Sequence, residues 1–187
     1  MTDQVTALDL PMVDPLPERT QKYFDVCQDK LGMVPNVLKA HAFDIAKLEA
    51  FTGLYNDLML GESRLSKLER EMIAVVVSSI NSCFYCQTAH GAAVREMGTP
   101  ELGEMMVMNY RVADLEPRQR AMLDFAVKVS QSAYEVNDGD FQTLHEHGFT
   151  DEDAWDIAGI AAFFGLSNRM ANVTSMRANP EFYSLGR

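Results

Sequence analysis

"LSKLEREMIAVVVSSINSCFYCQTAH", Leu65 to His90, contains the segment on which the fold class turns. Its middle, "IAVVVSSI" from Ile73 to Ile80, is rich in β-branched residues of the kind that fill a buried strand. The run nevertheless continues the Leu65, Leu68, Met72, Val76 spacing, which is helical, and no turn signal interrupts it. We read it as the buried end of a helix, and the fold class as all-α.

Outward from this stretch the same reading holds. Segments 18–31, 36–42, 44–60, 66–80, 83–97, 101–111, 117–134, 138–147 and 151–171 show helical periodicity or helix-forming composition. Turn-forming sequences such as "LGES", "MGTP", "ADLEP" and "YEVNDGD" separate them. Pro11, Pro15 and Pro17 keep the start extended, so residues 1–16 read as an arm and residues 17–187 as a single helical domain. Residues 65–99 laid over 115–149 align "LSKLEREM" with "LEPRQRAM" and "REMG" with "HEHG", which suggests two duplicated helical units. In the second unit Glu71, Cys83, Cys86 and His90 are replaced by Ala121, Ala133, Val136 and Asp140.

The chain has 187 residues, 47% of them apolar, enough for a substantial core. Its net charge of -11 argues against nucleic acid or an anionic membrane as partner, since phosphate is bound by clustered Lys and Arg. The first twenty residues hold an early acid and no apolar signal region, and no later run approaches a membrane span, so a cytoplasmic protein is expected. Three cysteines are a poor disulfide framework in a reducing compartment, where a close pair is more often catalytic or metal-binding.

Cys83, Cys86 and His90 are spaced i, i+3 and i+7, on one helix face. Asn81 or Ser82 is expected to cap that helix, placing both sulfurs near its N-terminus, where the thiolate is favoured. Glu71 stands on the preceding helix at the shoulder of an apolar stripe, flanked by the small Ala74 and Ser78. The short "NS" connection makes the two helices neighbours, so Glu71 can reach the cysteine and histidine face and polarise His90. The same residues admit plainer readings: four ligands of a structural zinc, a Glu71–Lys67 surface pair, an ordinary helix histidine. Cys27 reads as a core thiol, and His145 and His147, at i and i+2, as surface residues. A thioredoxin-type site would need a βαβ frame, which the pattern does not offer.

From "GMVPNVLKAHAF" through "LSKLEREMIAVVVSSINSCFYCQTAH" to "FGLSNRMAN", the sequence resembles the alkylhydroperoxidase D (AhpD) and carboxymuconolactone decarboxylase superfamily, in its peroxidase-related branch. The family signature is a glutamate, a spacer, CxxC and a histidine four residues on, matched here by Glu71, Cys83, Cys86 and His90. The resemblance implies an AhpD-like helical fold, homo-oligomers, and a thiol-dependent hydroperoxide reductase needing no cofactor or metal. Glu71 and His90 would relay protons, Cys86 would be the peroxidatic and Cys83 the resolving cysteine, and an external dithiol, a lipoyl or thioredoxin-like protein, would restore them. The residue before the second cysteine is often histidine in AhpD; here it is Tyr85, a departure that bears on the reductant. A non-enzymatic redox or zinc sensor is the alternative, and a decarboxylase-type lyase, whose branch lacks the cysteine pair, a further one. The segments "LGEMMVMNY" and "DIAGIAAFFGL" are apolar on more than one side, which also points to a homo-oligomer.

Overall fold

The run Ile73–Ile80 is helical in the computed structural model, which describes residues 4–187. Among the described residues there are nine α-helices and no strand: α1 (Glu18–Leu31), α2 (Asn36–His41), α3 (Ile45–Tyr55), α4 (Lys67–Ile80), α5 (Phe84–Met97), α6 (Pro100–Asn109), α7 (Pro117–Ser132), α8 (Asp138–Glu146) and α9 (Asp151–Val173). α4 is the axis of the core and packs against α5, α6, α7 and α9. Every residue from Glu69 to Ser78 is buried, so this helix is enclosed all round, as its unbroken apolar run requires. The choice between helix and strand follows from magnitudes. A β-branched residue costs a few tenths of a kcal/mol in a helix, whereas burying a Val or Ile contributes about 1.5–3 kcal/mol.

Local sequence sets the helix starts. Ser66 accepts from the Glu69 N–H at 3.2 Å while the Glu69 carboxylate accepts from the Ser66 N–H at 2.8 Å, a reciprocal cap at the head of α4. Thr150 and Asp153 cap α9 in the same way, and Thr99 with Pro100 begins α6. α1 ends at Gly32, whose φ of 71° lets its N–H close on the Gln28 carbonyl. α7 starts at Pro117, fifty residues after the start of α4, and both carry a reciprocal cap; α5 and α8, starting at Phe84 and Asp138, do not keep that offset.

Two expected helices end differently. Segment 44–60 is α3 followed by a wider π turn, Asn56–Leu60. The turn carries the Leu58 and Gly61 carbonyls to the buried Arg70 guanidinium, which donates to them at 3.4 and 2.8 Å and to the Leu65 carbonyl at 3.1 Å. Segment 101–111 is α6 followed by a tight 3₁₀ turn at Tyr110–Val112. α5 and α6 cross closely at glycine: a Cβ on Gly103 would lie 2.2 Å from Arg95 Cγ, and one on Gly91 2.8 Å from Val107 Cγ2.

The arm before α1 is non-helical where it is described, and its first three residues lie outside the described part. It is tied to the segment after α9: the Ala7 N–H donates to the Thr174 carbonyl at 2.7 Å and the Arg177 N–H to the Val5 carbonyl at 2.9 Å. Among the described residues no helix is long and apolar enough to cross a membrane.

Candidate active site

The α4–α5 connection builds the site. Asn81 closes α4, and Ser82 takes a left-handed conformation with φ 51°. This tight reversal lets the Cys83 N–H donate to the Ser78 carbonyl at 2.9 Å, fastening the first cysteine to the last turn of α4. The expectation that Asn81 or Ser82 caps α5 is therefore corrected. Cys83 itself is the N-cap residue, and Cys86 is the third residue of the helix. Both sulfurs stand at the helix N-terminus, and both cysteines are buried, 0% and 1% exposed.

Glu71 and His90 meet as their spacing predicts. The His90 Nδ1–H donates to Glu71 Oε2 at 2.6 Å, and the two side chains are only 13% and 10% exposed. A carboxylate can only accept, so this bond assigns the proton to Nδ1 and leaves Nε2 for exchange. Phe164 of α9 packs edge-on against the imidazole, centroids 4.6 Å apart. The Lys67 pairing of Glu71 is not formed.

The sulfurs differ in charge preference. The Cys86 thiol as hydrogen-bond donor, the Cys86 backbone N–H, the Asn168 amide and the His90 imidazole bring the Cys83 thiol down to about 7 against the opposing effect of burial. Cys86 is pushed the other way, first by donating to Cys83, then by burial. Of the two sulfurs it is therefore Cys83 that the surroundings favour as the thiolate, with the shared proton on the Cys86 side.

Residues that sequence reasoning did not single out complete the surroundings. Ser167 Oγ lies 3.9 Å from Cys86 Sγ. Fully buried Asn168 donates to Ser78 Oγ at 2.9 Å and accepts from Asn81 Nδ2 at 3.0 Å. The available signal was a Ser–Asn pair within the otherwise apolar "IAAFFGL" helix, where polar side chains need a reason. Tyr85, at the position where AhpD often has histidine, is buried, accepts from the Val37 N–H at 3.0 Å and is held neutral chiefly by burial. Cys27 is half-buried in the cluster beneath α1, its thiol raised by burial, and remains apart from the pair. His145 is exposed and bonds Asp151 at 2.8 Å; His147 bonds the Thr143 carbonyl at 2.8 Å. Among the described residues no group of three or more His, Cys, Asp or Glu is arranged to hold a metal ion.

Fold and site together define a class: an all-helical protein whose buried CxxC thiols share a helix N-terminus with a glutamate–histidine pair. Known proteins specify it further. The sequence pattern of the Carboxymuconolactone decarboxylase family matches residues 47–102. An uncharacterized peroxidase-related protein from a Silicibacter species is 63% identical over the whole of both chains, with a TM-score of 0.96. An AhpD-core, peroxidase-related protein from Ralstonia eutropha is 48% identical over all of this chain and 98% of its own, TM-score 0.95. The debrominase Bmp8, solved with 2,3,4-tribromopyrrole, is 21% identical over 99% of this chain and 96% of its own; at TM-score 0.78 it shares the fold. No curated protein matches the sequence. The chain belongs to the AhpD and carboxymuconolactone decarboxylase superfamily.

Proposed function

We propose that the protein is a thiol-dependent hydroperoxide reductase in which Cys83 and Cys86 cycle between dithiol and disulfide, with Glu71 and His90 handling protons. The observation that carries this reading is the 2.6 Å Glu71–His90 bond on the helix whose N-terminus holds a buried cysteine pair, one thiol lowered and the other raised. A structural pair has no use for a proton relay; a peroxidase needs one at every step.

Cys86 passes its proton across the hydrogen bond to the Cys83 thiolate and attacks the terminal oxygen of the hydroperoxide. The S–O bond forms, the O–O bond breaks, and the leaving alkoxide takes the Nε2 proton of His90, which enters this step as an imidazolium still donating from Nδ1 to Glu71. Cys86 is now a sulfenic acid. His90 recovers a proton from the Cys83 thiol, which attacks the Cys86 sulfur and expels hydroxide, and that hydroxide takes the proton from His90 as water. An external dithiol reduces the disulfide. In that step Cys83, the more acidic thiol, is the better leaving group, which supports giving it the resolving role.

The same reading includes a homo-oligomer. Phe84 beside the cysteines is 63% exposed, and Leu166 and Val173 of α9 are 56% and 74% exposed. Apolar surface of this kind beside a site is the kind that a second copy covers.

The test of the roles is a Cys83→Ser variant treated with one equivalent of hydroperoxide and a sulfenic-acid probe. Label on Cys86 is expected; label on Cys27 alone would overturn the assignment.

A further inference from the structure

Asn168 is fully buried on α9 and faces the last turn of α4. Its orientation can be deduced from the hydrogen bonds around it. The Ser78 hydroxyl donates to the Ala74 carbonyl at 2.7 Å, so its oxygen must accept from Asn168, which fixes the amide nitrogen on that side. The Asn168 oxygen then takes the Asn81 Nδ2–H at 3.0 Å, and Asn81 is itself gripped through its carbonyl by Asn172 at 3.1 Å. One N–H of Asn168 remains. Its neighbour Ser167 places a hydroxyl 3.9 Å from Cys86 Sγ, so this turn of α9 lies against the cysteine pair.

We propose that Asn168 is a thiolate-binding residue of the site: its remaining N–H is donated to the anion shared by Cys83 and Cys86, and Ser78 and Asn81 lock the amide in the donating orientation. A neutral donor held rigidly at a buried anion needs no reorganisation when charge appears there. The Asn168 amide lowers the thiols of both cysteines, as such a donor must. The titratable groups facing the pair are His90 and Tyr85 of α5 and, through His90, Glu71 of α4; α9 contributes the neutral Ser167 and Asn168. The role of Asn168 in turnover rests on the peroxidase reading; its binding of the thiolate does not.

The experiment is a pH titration of ultraviolet thiolate absorbance, from about pH 5 to about pH 9 around the ordinary thiol range, in a Cys27→Ser background. The parent should inflect near 7. Asn168→Ala should move that inflection up by about one unit, a tenfold loss of thiolate below it. An unmoved inflection with a lowered melting temperature would show that Asn168 only ties α9 to α4, and would overturn the proposal. Should that variant fail to fold, the unaltered protein decides: the side-chain amide resonance of Asn168 must shift with the thiol titration, and a resonance constant through it overturns the proposal. Neither readout uses peroxide, so a shifted inflection without turnover would retain the thiolate site and reject the peroxidase.

Discussion

Replacing Glu71 by Gln removes one charge and almost no volume from the site. The hydrogen bond from His90 Nδ1 to Glu71 Oε2 is short, 2.6 Å, and both side chains are nearly buried. A hydrogen bond to a charged group contributes about 1.5–3 kcal/mol and a neutral one about 1 kcal/mol. Gln still accepts from Nδ1–H, so about 1–2 kcal/mol of support for the charged imidazole is lost, roughly tenfold or somewhat more in any step that draws on it. The relay acts on both the alkoxide and the hydroxide, but these steps are consecutive, so the slower one sets the loss, and the roughly hundredfold contribution of acid–base assistance as a whole is not reached while His90 remains. The expected result is a loss of about tenfold, and at most about thirtyfold, in the rate of peroxide-dependent disulfide formation, with the melting temperature nearly unchanged. Rapid mixing with acid quench and mass spectrometry reads this directly, whereas the fluorescence of Trp155, itself 80% exposed, is a poor reporter of a buried site. A folded Glu71→Gln protein oxidised at the parental rate would make the Glu71–His90 pair a packing feature with no part in the chemistry.

Mild peroxide should give a Cys83–Cys86 disulfide and leave Cys27 reduced, which peptide mapping checks; Cys27 in the disulfide would be the contrary result. Ser82→Gly should stabilise the fold by up to about 1 kcal/mol, because glycine takes positive φ without the Cβ penalty while losing more chain entropy, and denaturant unfolding measures it. Light scattering at micromolar concentration should show an assembly several times the 20.9 kDa chain; a monodisperse, fully active monomer would show that the exposed faces of α5 and α9 need no partner.

Most helix starts were legible because each has a local chemical cause: Ser66 with Glu69, Thr99 with Pro100, Thr150 with Asp153. The Glu71–His90 bond was legible too, since a short turn between adjacent helices leaves few places for the two side chains to go. The placement of Cys83 as the cap rather than in the first turn was not legible, because it depends on Ser82 adopting a left-handed conformation that a serine rarely takes. The π turn at Asn56–Leu60 depends on Arg70, ten residues beyond it, reaching back for carbonyls. Ser167 and Asn168 lie more than eighty residues from the cysteines, and only tertiary packing shows that the polar pair on α9 meets the polar end of α4.

Turnover by the cysteine pair is decided by a multiple-cycle peroxide assay. The purified protein is mixed with hydroperoxide in large excess and supplied in turn with dihydrolipoamide, thioredoxin or glutathione. With one of the dithiols many equivalents of peroxide should be consumed per chain, and Cys86→Ser and Cys83→Ser should each abolish this. Consumption that stops after a single equivalent with every reductant would contradict turnover and make the pair a one-shot sensor, and consumption that survives loss of both cysteines would move the chemistry to Glu71 and His90 alone.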